Sequence, residues 1–235
     1  MIEASVTPNP ECLRFFSMEL SFLPPGTAMD LPNEGHAYKS PLAEQLFTLD
    51  GIKALYFADE YITVTKEETA DWGSLKPMVS EMIINFAETG QDIIAADQAG
   101  SLTQDGEDTE PQPEDDDVVL AIKELLASRI RPMVRADGGN VRYVGIDDGT
   151  VYVTMEGACK TCPSSSVTLK SGIERMLMHW IPEVAEVLEV DDDFAWDFKR
   201  RQQEAKEEAK KASEEHAASK EEKPMDGPNG KHAAT

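Results

Sequence analysis

Val141-Arg142-Tyr143-Val144-Gly145-Ile146, Asp147-Asp148-Gly149, Thr150-Val151-Tyr152-Val153-Thr154-Met155-Glu156 is the stretch whose reading decides the fold of this chain. Two runs rich in strand-forming residues flank an Asp-Gly pair, the strongest short-range signal for a β-hairpin. In the second run Val151, Val153 and Met155 fall on one face, Tyr152 and Thr154 on the other. Upstream, Val118, Ile122, Leu125, Leu126, Ile130 and Met133 recur at helical spacing, predicting a helix over 118–134, bent or tightened near Pro132 and ended by Asp137-Gly138-Gly139. Downstream, a loop Gly157–Cys162 leads into a helix with Leu169, Ile173, Met176, Leu177 and Trp180 inward. That helix stops before Pro182, and a last strand lies near Val184–Val190. The order α-β-β-α-β predicts an α+β sandwich with the cysteine loop at its rim.

The first half carries its own elements. Thr7-Pro8-Asn9-Pro10 is a turn signal, and Leu13-Arg14-Phe15-Phe16 reads as a short strand. Ser40-Pro41 starts a helix, with proline at N1 where its missing N–H costs nothing. Strands Ile52–Phe57 and Tyr61–Thr65 follow, then a helix over 71–89 with Leu75, Met78, Val79, Met82, Ile83 and Phe86 at core spacing. The expected organisation is two small α/β sandwich domains, 1–95 and 118–192, joined by a disordered acidic linker, 96–117. A charged tail, 193–235, is read as disordered or partly helical, since its Ala/Glu/Lys run has no apolar stripe to dock.

The 235 residues carry a formal net charge of -23, which argues against nucleic acid as a partner because phosphate binding needs a basic face. The excess is uneven: 97–117 holds 9 acids and no base, while 118–190 is nearly balanced with 9 acids and 8 bases. No window approaches the roughly 20 apolar residues of a membrane helix, so no membrane association is expected. Met1-Ile2-Glu3 lacks both the basic region and the apolar core of a secretion signal. Cys12, Cys159 and Cys162 are too few for a disulfide framework, so a reducing compartment is expected.

Cys159-Lys160-Thr161-Cys162 places two thiols close enough to bind one metal, form a reversible disulfide, or supply half of a cluster site. Pro163 follows directly and the helix begins there, so Cys162 is expected at or beside the N-cap, where free N–H groups and the helix dipole favour a thiolate. His36, His179, His216 and His232 are scattered, and Cys12 lies in the other half. Four ligands are reached most simply by a second copy of the loop across a two-fold axis. Such a site, built from two loops, is expected to be exposed. A zinc-stabilised module and a thiol-disulfide enzyme using the same cysteines remain as alternatives. No residue set resembles a general acid-base pair or a Ser-His-Asp group, so no enzymatic turnover is expected.

Asp137-Gly138-Gly139, Gly157-Ala158-Cys159-Lys160-Thr161-Cys162-Pro163-Ser164-Ser165, Thr168-Leu169-Lys170, Gly172-Ile173 and Ile181-Pro182-Glu183-Val184 resemble the C-terminal domain of NifU-like (Nfu) iron-sulfur scaffold proteins. Thr7-Pro8-Asn9-Pro10, Ser40-Pro41-Leu42-Ala43, Ile62-Thr63-Val64-Thr65-Lys66, Asp71-Trp72 and Leu75-Lys76-Pro77 resemble the N-terminal domain of the same family. The resemblance implies a carrier of a 4Fe-4S cluster bridging two subunits, with Cys159 and Cys162 as cluster ligands and none from Cys12. It implies a homodimer on cluster binding, upstream assembly factors as donors, and client apoproteins such as lipoyl synthase and aconitase-like proteins. It also implies a mitochondrial matrix protein, or a bacterial cytoplasmic one.

Overall fold

Alternation along the strands organises the first half of the chain. In the computed structural model, which describes residues 1–160 and 163–221 without the side chains of 163–169, 209–210 and 212–221, six strands form one antiparallel sheet. They are β1 (Glu3–Val6), β2 (Cys12–Phe16), β3 (Thr27–Leu31), β4 (Ile52–Ala58), β5 (Tyr61–Lys66) and β6 (Thr103–Gln104), in the order β1-β2-β5-β4-β3-β6. Phe15, Met29, Leu55, Phe57, Ile62 and Val64 point to one face and pack under two helices, α1 (Pro41–Leu46) and α2 (Trp72–Thr89). Ser40 caps α1 by accepting the Ala43 N–H at 3.2 Å, Asp71 caps α2, and Gly90 ends it in the left-handed region. Leu75, Val79, Ile83 and Phe86 are buried on α2, Met82 is half-buried, and Met78 is exposed instead of inward.

The opposite face of this sheet is also covered. Tyr56, Ala58 and Tyr61 are buried there, together with the polar Thr63 and Thr65. A strand alternating Tyr-Ile-Thr-Val-Thr ordinarily turns its polar face to water, so something else must shield it, and the second half of the chain does.

Residues 97–117 depart from the expected disordered linker. Thr103–Gln104 pairs antiparallel with β3 at Ala28↔Thr103 and Thr27↔Gln104. Arg131 donates to both carboxylate oxygens of Asp108 at 2.8 and 2.6 Å, Arg135 meets Asp105 at 2.6 Å, and Lys123 meets Asp115 at 2.5 Å. The segment has almost no aliphatic content, so its order comes from these buried charge pairs and strand hydrogen bonds, whose partners lie outside it.

The second half follows with α3 (Asp117–Leu125), a π-helical turn over Leu126–Ile130, and α4 (Arg131–Ala136). The helix is therefore widened before Pro132, not tightened. A π turn inserts one extra residue and advances the inward face by one, so Val134 is buried while Met133 is exposed. β7 (Gly139–Asp147) and β8 (Thr150–Gly157) form the expected hairpin; Asp148 and Gly149 take φ of 44° and 78°, as a type I′ turn requires. α5 (Pro163–Trp180) returns the chain to β9 (Glu186–Glu189), which joins β8 in parallel. Ile173 and Leu177 enter the core, but Trp180, expected inward, is 60% exposed beneath the Arg129 guanidinium.

Two hydrophobic clusters, one from Leu13 to Phe86 and one from Ile122 to Val187, lie within a single unit, Met1–Ala195; Trp196–Thr235 is a second unit. α6 (Asp192–Glu221) begins at the end of the first unit and forms the described part of the second, with Arg200 paired to Asp197 and Glu204. No helix among the described residues is long and apolar enough to cross a membrane. The helices and sheets together make an α+β fold.

Candidate functional site

β8 ends at Gly157, whose φ of 63° only glycine adopts easily, and the chain turns sharply through Ala158, Cys159 and Lys160. A β-carbon at Gly157 would lie 2.8 Å from the Gly138 carbonyl oxygen and 3.0 Å from the Tyr56 ring. Gly157 pairs with Gly139 across the hairpin, so two glycines face each other where the backbones approach. A β-carbon at Gly139 would sit 2.5 Å from the Cys159 sulfur and 2.6 Å from the Glu156 carbonyl oxygen. The thiol thus occupies the space that a side chain at Gly139 would fill. The sequence reads Asp137-Gly138-Gly139 as a helix terminator; a bulge between Tyr143 and Gly145 shifts the hairpin register by one, so Gly139 and not Asn140 meets Gly157, and no local pattern signals this second role.

Cys159 is 3% exposed and packs with the core of the second half, so the exposure expected of the site is not met at this residue. Cys162, the residue before α5, lies outside the described residues, as does Thr161. Cys12 is buried in β2 with its sulfur 3.2 Å from the Thr65 hydroxyl. His36 hydrogen-bonds Asn33, His179 stands exposed against Trp180, and His232 and the His216 side chain lie outside the described residues. Among the described residues no three His, Cys, Asp or Glu side chains are grouped to hold a metal.

The first half of the chain grips the turn on both sides of Cys159. Asn9 donates from Nδ2 to the Ala158 carbonyl at 3.2 Å, and Lys160 lies 3.5 Å from Asp30 and 3.7 Å from Asp192. Across the hairpin, Thr63 donates to the Gly138 carbonyl at 2.7 Å. Burial opposes the Lys160 charge, but Asp30 and Asp192 outweigh it and raise its pKa. Burial likewise raises Asp30, partly offset by Lys160.

Glu156, at the end of β8, is pushed up to about 7 by burial, against the pull of Arg142 and a hydrogen bond from Asn140 at 3.1 Å. Because the folded chain binds a proton here that the unfolded chain has released, stability falls as pH rises from about 4.5 to about 7, by about 3 kcal/mol in all. Glu156→Gln keeps an acceptor for Asn140 and removes the charge. The variant should therefore melt at a higher temperature than wild type at pH 8, with the difference vanishing near pH 4.5; parallel melting curves across that range would refute the assignment.

The family model for the NifU-like domain matches residues 122–188, and that for the N-terminal part of Nfu/NifU scaffold proteins matches 2–90. The chain belongs to the Nfu family. Over 192 residues it is 42% identical to a Drosophila virilis protein and 41% identical to a Drosophila willistoni protein, both named "NFU1 iron-sulfur cluster scaffold homolog, mitochondrial". Those alignments cover 82% of this chain, which spans 62% and 64% of the two relatives. A solution structure of a Saccharomyces cerevisiae NifU-like protein is 26% identical, covering 41% of this chain and 85% of that one with a TM-score of 0.36. Within the Nfu frame, the cysteine turn falls in the NifU-like domain and the residues that grip it fall mostly in the N-terminal one.

Proposed function

We propose that this Nfu chain is a non-enzymatic iron-sulfur carrier, holding a 4Fe-4S cluster between two copies through Cys159 and Cys162 of each and passing it to client apoproteins. The observation that carries the reading is a Cys-x-x-Cys motif inside a NifU-like domain, its first cysteine seated against Gly139, in a chain whose relatives are named cluster scaffolds. The donor set fits the cargo: thiolates are the usual ligands of such clusters, and one turn brings half the four a cubane needs. A second turn on a two-fold axis supplies the rest. Lys160, beside Cys159, places one positive charge near a cluster that carries a net negative charge with its thiolates.

The carrier gives up its cluster by thiolate exchange to a client with a fuller ligand set, for which lipoyl synthase and aconitase-like enzymes are the candidates and upstream assembly factors the donors. The mitochondrial names of the relatives support a mitochondrial location. Anaerobic reconstitution with iron and sulfide tests the proposal. The expected yield is about four irons per two chains, lost in Cys159→Ser and in Cys162→Ser and kept in Cys12→Ser. Stoichiometric zinc without acid-labile sulfide, or a loaded monomer, would overturn it.

A further inference from the structure

We propose that the N-terminal domain is a latch on the cysteine turn: docked, it holds Cys159 inward and unable to ligate, and it must release the turn before a second copy can share a cluster. The contacts flank the thiol. Ala158 is tied to Asn9 and Lys160 to Asp30, so the residue between them is pinned with its sulfur against Gly139. The tie to Asn9 is built for the purpose. The Asn9 Oδ1 accepts the Glu11 N–H at 2.9 Å and the Thr7 hydroxyl donates to the Asn9 carbonyl at 2.9 Å, so the turn Thr7-Pro8-Asn9-Pro10 presents Nδ2 to the loop in a fixed direction. Asn9 is 2% exposed although it lies in a turn.

The covered polar face of β5 points the same way independently. Thr63 and Tyr61 spend their hydroxyls on the carbonyls of Gly138 and of Gly139, the second of which seats the thiol. A cluster shared by two chains needs both turns facing outward across a symmetry axis, whereas here Asn9 and Asp30 of the N-terminal domain hold the turn on either side of Cys159. Docking and cluster sharing therefore exclude each other, and each disfavours the other by the same factor. This consequence rests on the carrier reading; the latch itself rests on the contacts.

The test reads thiol reactivity in the metal-free full chain, so it does not depend on a cluster forming. Iodoacetamide labelling is followed by peptide mass analysis, which scores Cys12, Cys159 and Cys162 separately. In the native chain Cys159 should react at least ~100-fold more slowly than in the urea-unfolded chain. Asn9→Asp keeps the oxygen that accepts from Glu11 but sets a carboxylate against the Ala158 carbonyl, and it should speed Cys159 labelling ~10-fold or more. Cys12, buried in the N-terminal sheet, must stay protected, which shows that the domain remains folded; if it does not, Thr63→Val, nearly isosteric and lacking the hydroxyl, decides by the same criterion. Cys159 labelling equally fast in native wild type and variant, or equally slow in both with Cys12 protected, would overturn the latch. Failed reconstitution with the labelling contrast intact would overturn the carrier reading alone.

Discussion

Replacing Arg131 by methionine is expected to cost about 3–5 kcal/mol, the range for breaking a buried ion pair by removing one partner. Arg131 and Asp108 are both almost fully enclosed, and the guanidinium also donates to the Thr109 hydroxyl at 2.9 Å and to the Val141 carbonyl. Methionine fills much of the volume but leaves the Asp108 carboxylate, among the described residues, with the Tyr143 N–H at 2.6 Å as its hydrogen-bond donor. In a unit of this size the melting temperature should fall by on the order of 10 °C. Adding Asp108→Asn, which retains an acceptor for Tyr143 without the stranded charge, should recover a substantial part. Limited proteolysis gives a second readout: residues 97–117, held by this pair, should be cut faster in Arg131→Met. A melting temperature unchanged by the single substitution would mean that the pair does not order the segment.

Gly139→Ala should be a damaging single-methyl change beside Cys159. The added carbon would meet the Cys159 sulfur at 2.5 Å and the Glu156 carbonyl at 2.6 Å. The sulfur can swing away, but the carbonyl belongs to the paired strand and cannot move without opening the ladder. Overpacking of this kind costs about 1–3 kcal/mol. The distinguishing sign is chemical: the displaced Cys159 should label faster while Cys12 does not, whereas Gly172→Ala, where a β-carbon meets nothing within 4 Å, should leave both unchanged. Normal melting and labelling in Gly139→Ala would show that the thiol does not sit over this glycine.

Local pattern made much of this architecture legible. The hairpin turn at Asp148-Gly149, the helix start at Ser40-Pro41 and most of the inward stripe of α2, Met78 excepted, follow from nearest neighbours in sequence and are present. What local pattern hid depends on partners far along the chain. The acidic segment has little apolar content beyond Leu102 to signal order, because much of its order is supplied by Arg131, Arg135 and Lys123. β1 and β3 were not expected; β3 draws its hydrogen bonds from β4 and β6 on either side. The cysteine motif marked a candidate site by its spacing and by the helix that follows, but neither carries direction, and Cys159 is set against Gly139 and next to the residue that Asn9 holds, both distant in sequence.

Asn9 and Ala158 are separated by 149 positions, and synthesis runs from the first of them to the second. Domains tend to fold in the order in which they leave the ribosome. The sheet bearing Asn9, Asp30 and Thr63 can therefore be complete before the Cys-x-x-Cys turn emerges. The turn that carries Cys159 then has partners for Ala158 and Lys160 already in place on its own chain, so the order of the two halves along the polypeptide favours their docking.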